Sequence, residues 1–396
     1  MSTDKQFSSI ALDGDGNMTA VSVTRVNIDL GISVYKMDTL GAILKKTRIV
    51  VADVESFDAT AHIAYGNNGF YYIACSVEKG LYLLKLNDEL EVVASQLSQD
   101  SIHDSVHHML LGTDNALYLA GIHAVTTSKD SPSILKFDAD LNFVNRKNLS
   151  NFPEGRVAGA CWAADDTPVF LLDLEVKSSE NYAVVLKTDK DLNILVSNKI
   201  KKTVGKAVQV EYQGIVQDAQ GDYLIGANLH KSSLLSFMRL DSTLKFTGLA
   251  EIAFTTDADR LSLLRLANGD LVFNHEKGLF RLNKDGIYQA HLNGKSVESY
   301  QILEDSNGRL IIAGKGGAPI QPMVLALPND LYITAETLTD SDFISQEIIK
   351  SSIGNEQFSN EAIEVSLASN QLISLSVPEP VITEPAGNHE VHTIDP

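Results

Sequence analysis

Ile134-Leu135-Lys136-Phe137-Asp138-Ala139-Asp140-Leu141 decides the fold of this chain. Apolar residues flank a lysine at a strand end, a short polar turn follows, and a leucine restarts the apolar run. The stretch recurs as Val34-Tyr35-Lys36-Met37-Asp38-Thr39-Leu40, Leu84-Lys85-Leu86-Asn87-Asp88-Glu89-Leu90 and Leu186-Lys187-Thr188-Asp189-Lys190-Asp191-Leu192. It continues as Met238-Arg239-Leu240-Asp241-Ser242-Thr243-Leu244, Phe280-Arg281-Leu282-Asn283-Lys284-Asp285-Gly286 and a degenerate Leu325-Ala326-Leu327-Pro328-Asn329-Asp330-Leu331. Counted from the lysine column, the steps between copies are 49, 51, 51, 52, 42 and 45 residues. A period of that size marks an array of supersecondary units that bury their apolar faces against one another.

Each repeat reads as short extended segments. In the third, residues 106–111 lead to a turn at Gly112-Thr113-Asp114-Asn115, followed by 116–122, a loop over 124–132, then 133–137 and 141–145. The first turn recurs as Asp13-Gly14-Asp15-Gly16-Asn17, Gly66-Asn67-Asn68-Gly69, Asp165-Asp166, Asp218-Ala219-Gln220-Gly221, Ala267-Asn268-Gly269-Asp270 and Asp305-Ser306-Asn307-Gly308. Gly, Asn and Asp reach positive φ at small cost, so these are hairpin turns. The runs that follow, such as Phe70-Tyr71-Tyr72-Ile73-Ala74 and Pro168-Val169-Phe170-Leu171-Leu172, are continuously apolar. Such a strand is buried on both faces of its sheet.

Four-stranded units of about 40–50 residues with inner strands of this kind resemble the blades of a β-propeller. The resemblance is one of architecture: the Trp-Asp dipeptide, the Asp-box and a double glycine recurring as in kelch repeats are missing. It implies an all-β, seven-bladed β-propeller of four-stranded antiparallel blades over residues 1–338, with a C-terminal extension. Expected blade limits are 7–57, 58–103, 104–154, 155–204, 205–256, 257–297 and 298–338. The extension, 339–377, holds a short helix capped by Asp342 and a hairpin over 363–367 and 372–375. An acidic Pro-containing tail, 378–396, has no basic residue and is expected to be flexible. The ring closes either with contiguous blades, the last owning a strand at 331–335, or with an edge strand from the 363–375 hairpin.

Composition narrows the function. With 51 acidic and 32 basic residues and a net charge of −19, the chain repels phosphate backbones, so nucleic acid is not an expected partner. No apolar run approaches the ~18 residues of a membrane span, so membrane insertion is not expected. The first residues lack an apolar signal core, which predicts a cytoplasmic chain or a component of a particle assembled without Sec export. Cys75 and Cys161 are too few for a disulfide framework and read as small buried hydrophobes.

The lysine column is the most regular chemical feature, and its natural role is a stem packed along the blade with its head on an acidic neighbour or in solvent. Less regular residues mark a binding face. His62, His107 and His108 fall at first-strand starts, while His123, His230 and His275 fall at second-strand ends. Arg25, Glu78, Asp173, Glu175 and Lys315 accompany them. In an antiparallel hairpin those two ends share a side, so this set gathers near one mouth of the channel. His62, His107 and His108 are the candidates for a metal, though their spacing matches no metal signature. Asp13–Asn17 fails as a calcium loop, because Met18 and Thr24 stand where Gly and Glu are needed. Residues 314–319 lack the phosphate-loop spacing, and neither Gly-x-Ser-x-Gly nor His-Glu-x-x-His occurs. Trp162 and the second-strand tyrosines 71, 72, 118 and 223 read as core.

The expected function is a non-enzymatic binding or assembly module that engages a protein partner through its loop face and C-terminal extension, with no cofactor. A phage particle or contractile injection assembly is one setting for it. Two other classes stay open at this stage: a metal-dependent hydrolase or lyase at the channel mouth, and a glycan-binding propeller.

Overall fold

The computed structural model describes residues 7–328, apart from 27–28, 56–59, 78–79, 100–103, 127–128, 150–153, 178–179, 203–209, 230–233, 254–260, 276–277, 285–287, 294–296 and 317–320, and also describes 358–361. Within them the chain forms seven antiparallel sheets, each a meander in sequence order. The innermost strands are Ser9–Leu12, Ala61–Tyr65, Asp104–Leu111, Gly155–Trp162, Val210–Gln217, Leu263–Arg265 and Val297–Glu304. Each touches the next, and the seventh touches the first, so the sheets close a ring around a channel. The chain is a seven-bladed β-propeller. Six blades show four strands of their own and the seventh shows three. The strand expected at 331–335, the extension's helix and its 363–375 hairpin all lie outside the described residues. Phe358–Glu361 adds a fifth strand to blade 4, pairing Lys199 with Glu361 and Lys202 with Phe358.

The continuous apolar runs have a direct physical reading. Seven core clusters fill the seven interfaces between blades, and alternate residues of one strand enter alternate clusters. Tyr71, Ile73 and Cys75 pack toward blade 1, whereas Tyr72 and Ala74 pack toward blade 3. Every residue of Tyr71–Val77 is therefore buried. Closure uses the same means: Phe7, Ile10 and Met18 pack with Ile311 and Ala313. Gln301 Oε1 accepts hydrogen bonds from Ser9 Oγ and the Ile10 N–H, both at 2.8 Å.

The recurring stretch is the outer hairpin, and its turn differs from the expected restart. Asp138 Oδ1 accepts the Asp140 and Asn142 N–H groups, and the Leu141 N–H closes the turn on the Asp138 carbonyl. Leu141 itself stands at φ 68°, and Leu90, Leu192 and Leu244 do likewise. A leucine there costs about 1–2 kcal/mol of backbone strain. All four side chains are fully buried, which offsets it. In blade 1 this position is Gly41 at φ 90°, and Leu40, which the sequence pattern equates with the others, is 87% exposed. The other turn of each blade has the same shape, with positive φ at Gly16, Gly69, Asn115, Asp166, Gly221, Gly269 and Gly308. The expected loop at 124–132 is instead a tight hairpin between Leu117–Thr126 and Lys129–Phe137. Polar residues and Pro132 hid those strand ends, which extend past the apolar core.

Three of the column cations, Lys36, Lys85 and Lys136, latch their blade to the next. Lys85 Nζ donates to the Ala139 carbonyl of blade 3 at 2.8 Å and to Asp140 at 2.9 Å, and the Tyr72 hydroxyl reaches the same carbonyl. One blade on, the Tyr118 hydroxyl donates to the Lys190 carbonyl and Lys136 pairs with Asp191. Lys36 bridges Asp13 in its own blade and Asp88 in the next. Lys187, Arg239 and Arg281 pair within their blades with Asp165, Asp218 and Asp270. Where the column holds Ala326, Arg309 takes over, bonding Asp305 and the Thr39 carbonyl of blade 1.

The Leu141 turn gives a distinctive prediction. Leu141→Ala loses about 2–5 kcal/mol of core packing and keeps the strain. Leu141→Gly loses the same packing and recovers about 1 kcal/mol. Urea midpoints should rank wild type above Leu141→Gly above Leu141→Ala; alanine ranking above glycine would show the turn to be unstrained.

Candidate functional site: the channel wall and an acidic cleft

Both hairpin turns of a blade lie at one end of its strands. The other end carries the blade-to-blade connections and the turns between second and third strands, and the candidate site belongs to that side. Counting three residues back from the last described pair of each first hairpin gives one tier of the channel wall: Ser9, His62, His108, Gly159, Gly214, Ser262 and Gln301.

This tier ties blade to blade. Gln301 holds Ser9, and Ser9 Oγ accepts the Ile63 N–H at 3.1 Å. His62 Nε2 bonds the Val106 carbonyl at 3.2 Å, and His108 bonds the Ala158 backbone of the following blade. Between blades 4 and 5 the backbones meet directly, and a Cβ on Gly159 would stand 2.9 Å from Ile215 N. Bulges at His107, Ala158, Gly214 and Tyr300 occur just ahead of the tier position or on it, each placing two residues opposite one. His107 is therefore the extra residue of a bulge. Burial drives the His62 imidazole down to about 4, with His107 adding to the shift, and the His108 imidazole down to about 3, with His62, His107 and Arg156 adding to it. Both rings are neutral at neutral pH, because burial outweighs the carbonyl bonds, which favour the protonated form.

The structure divides the remaining candidates. His123 is buried in the second strand of blade 3, its backbone opposite Asp104 and Ser131. Arg25 lies opposite Leu30 and His275 opposite Gly278 in second strands, and Lys315 lies opposite Glu298. His230 and Glu78 fall outside the described residues. Among the described residues, no group of three or more His, Cys, Asp or Glu is placed to hold a metal ion. Cys75 and Cys161 are free thiols, and burial pushes both pKa values up.

Asp173 and Glu175 lead to a different site. They line a cleft of about 370 Å³ with Ile122, Asp130, Glu154, Gly155, Arg156, Asn181 and Glu211, drawn from blades 3, 4 and 5. Asp173 is 8% exposed. Arg156 pairs with Glu211 and lies 3.9 Å from Asp173 Oδ2. Burial raises the Asp173 carboxyl to about 7; Arg156 opposes the rise and the Glu211 charge adds to it. Asp173 Oδ1 and Asn181 Oδ1 are buried with no hydrogen-bond partner among the described residues. Arg156 and Glu211 escaped the sequence reading, although they occupy equivalent positions of successive first strands. Comparing repeats in register would have shown that charge reversal.

No family model matches the sequence, and no curated protein matches it. Solved structures do resemble it in fold. The Dos1 propeller is 11% identical with a TM-score of 0.53, over 83% of this chain and 93% of that one. Sqt1 from Chaetomium thermophilum is 10% identical with a TM-score of 0.49, over 79% and 80%. A protein of unknown function from Dyadobacter fermentans is 11% identical with a TM-score of 0.44, over 82% and 95%. These likenesses concern the fold.

The wall histidines predict an acid limb in stability. The unfolded chain protonates them near 6.5, whereas the folded chain keeps them neutral to about 4 and about 3. Stability is then lost as pH falls from about 6.5 toward 4, because the unfolded state binds the extra protons. Asp173 acts in the opposite sense between its ordinary ~3.9 and about 7, since there the folded state holds the proton. Thermal midpoints between about pH 4.5 and about pH 7 should fall less in a His62→Gln/His108→Gln double variant than in wild type. Parallel declines would mean that the rings are not held neutral.

Proposed function

We propose that this chain is a binding module whose channel-mouth side engages a protein partner. The observation that carries the reading is the contrast between residues that repeat and residues that do not. Repeating cations and turn aspartates are engaged in the frame itself. Asp173 is not part of the general repeat: counted in register, its position holds Val23, Ser76, Ile122, Asn228 and Lys315 in five other blades, and a second carboxylate, Glu276, falls there in the sequence of blade 6. A buried carboxylate in a cleft shared by three blades is unfavourable for folding, and such groups concentrate where a protein binds something.

The C-terminal extension is a second contact element in this reading, supported by the strand that Phe358–Glu361 adds to blade 4. The finer reading, membership of a phage particle or contractile injection assembly, draws only on the acidic composition.

Affinity capture with three baits tests the module. A protein retained stoichiometrically by wild type should be lost by Glu154→Lys/Glu175→Lys and kept by the rim variant Leu44→Glu/Val144→Glu. Retention by the cleft variant, or loss only from the rim variant, would place the partner elsewhere.

A further inference from the structure

The cleft beneath Asp173 has a specific chemical deficit. Among the described residues, five carboxylates, Asp130, Glu154, Asp173, Glu175 and Glu211, surround it together with one basic residue, Arg156. Arg156 is already engaged by Glu211. Two acceptors in the same lining, Asp173 Oδ1 and Asn181 Oδ1, are buried and have no donor among the described residues. A buried acceptor without a donor is costly, so the site is completed by a group that brings N–H bonds and positive charge together.

We propose that this cleft binds an N–H-donating cation, a guanidinium or a primary ammonium group, with Asp173 as its buried anchor, Asn181 as a neutral acceptor and Glu175 as an exposed guide at the rim. This deepens the binding-module reading and rests on it. A metal ion fits less well, because among the described residues no group of three or more His, Cys, Asp or Glu is placed to hold one. The volume, about 370 Å³, suits one side chain or a small amine rather than a folded segment. Two sources supply this chemistry: an arginine or lysine of a partner protein, and a free polyamine.

Protonation reports occupancy. Asp173 is flanked by Arg156, Glu175, Glu211 and the Tyr212 backbone N–H, with Asp130 and Glu154 also lining the cleft. Burial keeps its carboxyl protonated to about 7, and a cation in contact stabilises the ionised form. Binding therefore strengthens as pH rises through 7 and releases a proton below it.

Calorimetric titration of the full chain tests this with two probes, the blocked tripeptide acetyl-Gly-Arg-Gly-amide and spermidine. At least one should bind with a dissociation constant in the millimolar range or below. Asp173→Asn should weaken it at least tenfold and abolish its pH dependence, and Glu175→Gln should weaken it two- to threefold. Tighter tripeptide binding identifies a partner's side chain as the source, and tighter spermidine binding identifies a free amine; either supports the site. Unchanged affinity in an Asp173→Asn variant of normal thermal midpoint, or binding of neither probe, overturns it. If neither probe binds while Glu154→Lys/Glu175→Lys still loses its captured protein, the cation site falls and the module stands.

Discussion

A sheet whose inner strands are apolar on both faces cannot exist alone in water. Each blade needs a neighbour on either side, and the neighbours must stand in one register for seven separate cores to fill. Among the described residues, a cation reaches from one blade to the outer turn of the next at four of the seven interfaces and helps set this register. Lys85 is 7% exposed, so its ammonium is taken largely out of water, and the Ala139 carbonyl and Asp140 take the place of that water. Leaving such a charge without partners costs several kcal/mol, and the blade spacing that supplies the partners is thereby selected. The same turn carbonyl receives donors at Thr39, Ala139 and Lys190.

This requirement also explains an unusual turn. The outer turn must present a carbonyl to the preceding blade while sending an apolar side chain back into the interface. Leucine at positive φ meets both needs, with burial outweighing backbone strain. At the channel wall the tier of Ser9, His62, His108 and Gln301 ties the innermost strands, and glycines do so where the backbones touch. His62 and His108, two of the three metal candidates, thus make bonds to the backbone of the following blade.

The architecture was legible because its causes repeat. Lysine between apolar residues, Gly/Asn/Asp turns and doubly apolar runs each occur in blade after blade. Details set by three-dimensional register were less so. Leu40 looked equivalent to Leu141, yet a one-residue offset puts Gly41 in that place. Strand ends at Thr126 and Lys129 were hidden by polar residues that need no core. Asp173 and Glu175 were visible as candidates, but Arg156, Asn181 and Glu211 were not, since what assembles them is the approach of three blades. The proposed binding cleft is built from such departures from the repeat.

The latch is the claim on which the ring depends, and a double-mutant cycle across blades 2 and 3 tests it most directly. Unfolding free energies of Lys85→Met, Asp140→Asn and the double variant would give the coupling between the two side chains. Asp140 is well exposed, so a favourable coupling of only a few tenths to about 1 kcal/mol is expected. The Lys85 variant should be the costlier single change, because the Ala139 carbonyl also loses a donor. A coupling indistinguishable from zero, with Lys85→Met as stable as wild type, would show that the column does not hold the blades in register.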